Sequence, residues 1–380
     1  MANRFQNRKN ENFFDYTLLI VVVFLALFGI IMIYSSSSYL SGTEYLFRQI
    51  LAASVGFAGM VTIIFLRPYH FYGSFSLIAL GGSIALVFLL LTPLGITANG
   101  ATRWLNLGPF SMQPAEACKL GIILYLAVML DKLGKRASEP KFVLFFIIAP
   151  VAFVFGVILI VSRNMSSALI VVFIAIAMLF VSTPKLRPYV VGTVIVIAVV
   201  VIAIVVIDKQ GTAGGFRGMR VLAWLHPEQY ADSTAYQTVQ ALYAIGSGGI
   251  TGKGLGQGMQ KLGYIPEAQN DMIFSIICEE LGLFGAIVVI TLFAVLIWRC
   301  MIIARNANDK FGALLVVGVL AHIAVQVILN IAVVTNTIPN TGISLPFISY
   351  GGTSVVFLFA EIGLVLNVAR NIELKEIVRK

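Results

Sequence analysis

The chemistry-bearing residues of this chain are few and closely spaced. The stretch Tyr264-Ile265-Pro266-Glu267-Ala268-Gln269-Asn270-Asp271 ends in a carboxylate directly before the apolar run Met272-Ile273-Phe274. A helix beginning near Pro266 would carry Glu267 and Asp271 on one face at i,i+4. A carboxylate held at an apolar boundary loses solvation, so its pKa rises and it suits the work of a general base. The plainer alternative is a solvated acid at a helix start. A second set comprises Arg103, Trp104 and Gln113-Pro114-Ala115-Glu116, where a proline and an acid mark a helix N-terminus. Glu116 and Lys119 then share a face at i,i+3, either as a structural ion pair or as the charged lining of a wet cavity.

Two further stretches are polar without being acidic. Seven glycines between Gly246 and Gly258 surround Lys253, with Lys261 just beyond and Arg220 upstream. They complete no G-x-G-x-x-G, and Gly252-Lys253 is followed by glycine, not Ser or Thr, so a nucleotide loop is excluded. A flexible or tightly turned loop near a ligand is expected instead. The uncharged stretch 335–346 continues as Phe347-Ile348-Ser349-Tyr350-Gly351-Gly352-Thr353-Ser354. Two glycines before Thr-Ser predict a broken span, either a fresh helix N-terminus whose amides hold phosphate or a glycine-mediated packing site.

These residues must be positioned by a membrane bundle. Of 380 residues, 59% are hydrophobic and only 11% charged, with mean hydropathy +0.95. Soluble domains are about 25% charged, so a soluble, disordered or disulfide-built protein is excluded. Apolar runs predict an all-α polytopic chain of about ten spans, near 16–36, 47–66, 72–92, 113–131, 142–162, 165–183, 189–208, 272–298, 311–334 and 347–368. Seventeen of the twenty-six Lys and Arg fall in segments that become cytoplasmic if the N-terminus is inside. Both termini are then cytoplasmic, and 209–271 forms the one long extracellular loop. The first span is too long for a signal-peptide core and lacks a cleavage site, so it is expected to stay. Residues 236–245 read as a short interfacial helix. Cys118, Cys278 and Cys300 show no metal-type spacing and read as packing residues. Glu279 and Glu280, deeper in the eighth span, read as packing or cavity polarity.

The strings Trp104-Leu-Asn-Leu-Gly, Gln113-Pro-Ala-Glu116-Ala-Cys-Lys119, Ala244-Ile-Gly-Ser-Gly-Gly, Ala268-Gln-Asn-Asp271 and Thr341-Gly-Ile-Ser-Leu-Pro-Phe-Ile-Ser-Tyr-Gly-Gly352-Thr-Ser resemble the SEDS family (shape, elongation, division and sporulation). FtsW, RodA and SpoVE are its named members, and the motif forms lie closer to the FtsW and SpoVE branch. The resemblance covers the whole chain as one domain, 1–380. It implies a peptidoglycan glycosyltransferase of the bacterial cytoplasmic membrane, polymerising lipid II on the outer face with a class B penicillin-binding protein and other divisome or elongation proteins. No nucleic-acid partner is implied.

The family's proposed catalytic carboxylate corresponds to Asp271. Replacing an α-linked pyrophosphate by a β-1,4 link needs one inverting displacement and a base, not a covalent intermediate. Pyrophosphate charge would be met by Arg103, Lys119, Arg220, Lys253, Lys261 or a divalent cation such as Mg or Mn. Trp104, Gln113, Glu116, Glu267, Ser349, Gly351 and Gly352 complete the expected substrate contacts. Where members often read Gln-Pro-Asp-Leu-Gly-Thr, this chain has Ser162-Arg163-Asn164-Met165-Ser166-Ser167, which puts that loop's role in doubt. Rival readings are a lipid II flippase, a transporter with a relay of Glu116, Lys119, His322, Gln326 and Glu361, and a division scaffold.

Overall fold

A computed structural model describes residues 14–98, 101–106, 108, 111–183 and 216–372; the seventh expected span, 189–208, lies outside them. In chain order the helices are α1 (Tyr16–Ser41), α2 (Glu44–Leu66), α3 (Tyr69–Ser74), α4 (Ser76–Phe88) and α5 (Pro114–Leu133). They continue with α6 (Pro140–Val161), α7 (Met165–Ser182), α8 (Phe216–Leu225), α9 (Tyr236–Gly248), α10 (Ile273–Asn306), α11 (Lys310–Val334) and α12 (Thr353–Arg370). Among the described residues seven, α1, α2, α6, α7, α10, α11 and α12, are long and apolar enough to cross a membrane. The protein is a multi-pass membrane protein. The 20 residues of α5 reach about 30 Å, enough to cross, but carry Glu116 and Lys119 inward.

Helix starts follow the capping residues. Asp15 accepts from the Leu18 amide at 2.9 Å, Asn164 from Ser167 at 3.0 Å and Asp309 from Gly312 at 2.6 Å. Each such cap contributes about 1 kcal/mol. Asp15 also pairs with Arg299 at 2.7 Å, which ties the start of α1 to the far end of α10. In α6, Pro150 cannot donate to the carbonyl of Phe146, and the Tyr125 hydroxyl does so at 3.1 Å. The helix widens there into a π turn over Leu144–Ile148. At the centre stands α11, packed against α5, α7, α10 and α12. Helices α2 and α12 approach closely because Gly56 makes room for Phe359 and Gly363 for Met60.

Three features depart from the helical reading. A small antiparallel sheet joins β1 (Gly95–Ala98), β2 (Ala101–Asn106) and β3 (Ser111–Met112), with Ile96 opposite Trp104 and Leu105 opposite Met112. Thr97 and Thr102 bond across it at 2.7 Å. The residues between β1 and β2 are Asn99-Gly100, a strong hairpin signal that the all-α expectation passed over. Second, the last span does not begin at 347: α12 starts at Thr353, and residues 347–352 are irregular, with Phe347 and Gly352 at positive φ.

Third, α10 is interrupted. Its 34 residues would measure about 51 Å, well beyond a hydrocarbon core of about 30 Å. At Gly282 the backbone turns to φ 66°, ψ −164°. The glycine-rich stretch after α9 satisfies the backbone around this break. Leu283 N–H donates to Gly249 and Phe284 N–H to Ile250, while the amides of Lys253 and Gly254 donate to the carbonyls of Glu279 and Glu280. A Cβ on Gly252 would lie 2.2 Å from the Glu280 carbonyl, and one on Gly282 would lie 2.4 Å from the Gly252 nitrogen. These glycines permit backbone-to-backbone contact, so of the two expected forms the loop takes the tightly turned one.

Candidate active site

Asp271 is the penultimate residue before α10, at the end of the bundle that bears the long loop. Pro266 does not start a helix: Glu267 is in the left-handed region at φ 55° and α10 begins at Ile273, so the i,i+4 pairing is not formed. Three tertiary contacts hold Asp271 instead. Its carbonyl accepts from Asn330 Nδ2 at 2.8 Å. Its Oδ1 lies 3.4 Å from Gln237 Nε2 at the start of α9, at the long limit of a hydrogen bond. The loop at Gly342 passes so close that a Cβ there would sit 3.7 Å from Oδ2. Burial pushes the Asp271 carboxyl up to about 6, and the charge of Glu267 adds to that rise. Its own backbone amide, Arg220 and Gln237 oppose the shift. The result is a carboxylate that is ionised at neutral pH and still basic enough to take a proton.

One arginine faces this acid, and a second lies near the first. Arg220 on α8 feels both Asp271 and Arg103, and its Nη1 donates to the Asn340 carbonyl at 3.0 Å. Arg103 on β2 reaches the Arg163 carbonyl at 3.3 Å. Burial lowers the pKa of both guanidiniums, and their mutual repulsion lowers that of Arg220 further. Two cations so close, beside one acid, make a setting that favours an added anion. The loop that departs from the usual motif contributes here: Ser166 Oγ donates to the Thr341 carbonyl at 2.6 Å. It anchors the 335–346 loop, so the departure alters side chains without removing the loop from the site.

Residues 16–374 match the family described as cell cycle protein, FtsW/RodA/SpoVE. The chain belongs to this family. The probable peptidoglycan glycosyltransferase FtsW of Geobacter sp. (strain M18) is 35% identical over 364 residues, covering 94% of this chain and 96% of that protein. Stage V sporulation protein E of Bacillus subtilis (strain 168) is 35% identical over 369 residues, covering 94% and 97%. A chain of a peptidoglycan synthase complex, solved for its coordination of polymerization and crosslinking, superposes with a TM-score of 0.80 at 26% identity, over 95% of this chain and 99% of that one. RodA of Thermus thermophilus shares the fold, with a TM-score of 0.67 over 95% and 98% of the chains at 24% identity.

Within this FtsW/RodA/SpoVE fold the expected site residues separate into groups. Asp271 comes together with Glu267 and Arg220, and Arg220 in turn with Arg103. Glu116 and Lys119 form a buried ion pair at 2.7 Å in the first turns of α5, with Glu116 Oε2 lacking a protein partner among the described residues. Gln113 precedes them, its amide donating to Thr353 Oγ1 at 3.3 Å and so joining α5 to the start of α12. Trp104 lies on β2 opposite Ile96. Ser349 is buried and accepts from the Leu345 amide at 2.7 Å, and the Gly351 amide donates to Gln49 Oε1 at 3.4 Å. These groups close the irregular segment before α12, so the expectation that Ser349 and Gly351 hold phosphate is corrected; Gly352 caps α12 at φ 40°.

The two loop lysines are also reassigned. Lys253 pairs with Glu279 at 2.8 Å, and Lys261 with Glu280 at 2.6 Å and with Ser35 Oγ at 2.9 Å. Lys261 and both acids are buried. A cation already neutralised inside the protein is a poor holder of a passing pyrophosphate. The rival relay residues form a pair too, His322 Nδ1 lying 2.8 Å from Glu361 in the bundle core. Three site residues went unnoticed in the sequence: Gln237, Asn330 and Asn340. The one available signal was the polar spacing His322, Gln326, Asn330 at i, i+4 and i+8 along an otherwise apolar helix.

Proposed function

We propose that this protein is an inverting peptidoglycan glycosyltransferase that polymerises lipid II at the outer face of the bacterial cytoplasmic membrane. The observation that carries the reading is Asp271, a carboxylate with its pKa raised to about 6, set against Arg220, which Arg103 neighbours, at one end of the bundle. Asp271 removes the proton from the 4-hydroxyl of the acceptor N-acetylglucosamine. The freed oxygen attacks C1 of the donor N-acetylmuramic acid from the face opposite its pyrophosphate, which leaves with the bonding electrons. Arg220 and Arg103 meet the charge that develops on that leaving group.

Among the described residues no three His, Cys, Asp or Glu side chains converge. A divalent cation would therefore depend on Glu267 and Asp271 together with the substrate's own phosphates, a mode that suits Mg2+ or Mn2+. Bound there it would add charge neutralisation to that of the arginines. The partner in this reading is a class B penicillin-binding protein, supported by the likeness to a chain of a peptidoglycan synthase complex. A flippase needs no basic carboxylate beside an arginine, so the geometry favours polymerisation.

The deciding experiment incubates the purified complex of this protein and its partner with lipid II. Moenomycin-resistant glycan from the wild type, absent with folded Asp271→Ala, is the expected result. Normal polymerisation by Asp271→Ala would remove the base assignment. Lipid II translocation without any glycan from the wild type would replace the reading with the flippase.

A further inference from the structure

Beside Asp271 lies a cavity of about 320 Å³ between α8, the start of α9 and the turn at 336–340. Its volume falls at the lower end of small-ligand pockets, about 300–1,000 Å³. It has room for one sugar ring, and too little for a disaccharide with its peptide and lipid. Its chemistry is set by Arg220, Trp224, Gln237, Asn336, Asn340 and the hydroxyls of Ser233, Thr234 and Thr238. One cation, three amides, three hydroxyls and an indole are ill suited to a pyrophosphate, which calls for several cations and backbone amides. They suit a hydroxylated ring with one apolar face. Amides donate and accept together, as sugar hydroxyls and an N-acetyl group do, and an aromatic surface covers the C–H face.

The lining is held in place from behind. Trp224 Nε1 donates to the Asn336 carbonyl at 3.0 Å, which fixes the indole by its polar edge and leaves the rest of the ring to the cavity. Asn340 donates to Gln237 Oε1 at 3.1 Å and accepts from the Gly342 amide at 3.0 Å. The side chains of Asn336 and Thr234 make no hydrogen bond among the described residues, so their polar groups are open to a ligand. Gln237 joins the cavity to the base: its Nε2 reaches Pro266 at 3.0 Å and Asp271 Oδ1 at 3.4 Å. Gln237 thus connects a ring seated in the cavity to the Asp271 carboxylate.

We infer that this cavity is the acceptor subsite, taking the terminal N-acetylhexosamine ring against Trp224, with Asn336, Asn340 and Gln237 turning its reactive hydroxyl toward Asp271. The inference rests on the glycosyltransferase reading, with Arg220 shared between this cavity and the donor's pyrophosphate, which Arg103 also meets. The probe is the soluble disaccharide N-acetylglucosaminyl-N-acetylmuramic acid, which carries neither lipid nor phosphate. It should inhibit elongation by the full complex competitively with lipid II.

Asn336→Ala and Trp224→Ala should weaken that inhibition about tenfold and raise the KM for lipid II similarly, with kcat nearly kept; Trp224→Phe, which keeps a ring, should recover most of the loss. Thermal unfolding identifies variants that fold. If folded Asn336→Ala and Trp224→Phe both leave KM and disaccharide inhibition unchanged while Trp224→Ala fails to fold, the subsite is overturned. Loss of inhibition by inorganic pyrophosphate, with disaccharide inhibition intact, overturns it as well. A wild type that binds the disaccharide yet forms no glycan overturns the glycosyltransferase reading alone.

Discussion

The side-chain amide of Asn330 donates to the backbone carbonyl of Asp271 at 2.8 Å and to that of Ile343 at 2.7 Å. A single residue of α11, the central helix, thus fixes the carboxylate-bearing loop and the uncharged 335–346 loop to one scaffold. Asn330 touches no reacting atom and acts through position. Asn330→Ala leaves two carbonyls without their donor, which costs about 1–3 kcal/mol. Turnover per folded molecule should fall at least tenfold with little change in the KM for lipid II; because loss of folded protein also lowers the rate at constant KM, the rate is normalised to the folded fraction. Steady-state kinetics on folded protein measure it.

The acidic limb of the pH–rate profile should fall at about 6, because Asp271 must be ionised to accept a proton. Glu267 raises the Asp271 pKa and Arg220 lowers it. Glu267→Gln should therefore move the limb to lower pH, and Arg220→Gln to higher pH along with a loss in rate. A limb that neither substitution moves would belong to some other group.

Asp271→Asn should be at least as stable as the wild type at pH 7 while making no glycan. The folded-state pKa lies above the ordinary aspartate value of 3.8, so ionisation opposes folding. That penalty is absent at pH below about 4 and complete above about 6, with an upper bound of roughly 3 kcal/mol. Thermal unfolding in nanodiscs at pH 7 should show an equal or higher midpoint for the asparagine variant. A clearly lower midpoint would mean that the carboxylate is stabilised by its neighbours.

Lys261 and Glu280 form a buried pair 2.6 Å apart that also engages Ser35 on α1. Lys261→Met alone should destabilise the protein by about 3–5 kcal/mol, because it leaves an uncompensated buried charge. The double variant Lys261→Met/Glu280→Leu should regain much of that stability. Activity should follow the folded fraction throughout. A folded Lys261→Met with a raised KM for lipid II would return this lysine to substrate binding.

Gly282→Ala should lower stability by at least about 2 kcal/mol, since the new Cβ meets the Gly252 backbone and the residue must hold φ 66°. Gly59 in α2 is the control, because a Cβ there meets nothing within 4 Å. Comparison of the two unfolding midpoints checks whether the break in α10 is built on backbone contact. Equal losses at the two sites would remove that account.

Much of the protein is legible in the sequence alone. Hydropathy is a local property, so runs of apolar residues mark spans wherever they occur, and capping residues such as Asp15, Asn164 and Asp309 mark their starts. A carboxylate stranded at the edge of such a run, Asp271, stands out for the same reason. Ordered motifs carry the family. What the tertiary structure alone decided is which polar groups meet. Lys253 and Lys261 look like free cations in a glycine loop until the fold brings Glu279 and Glu280 against them, and Ser35 arrives from 245 positions away. Gln237, Asn330 and Asn340 are unremarkable amides until three separate segments converge on Asp271. Hydrogen bonds and ion pairs act over about 3 Å in space and are indifferent to distance along the chain, so composition and spacing do not reveal them.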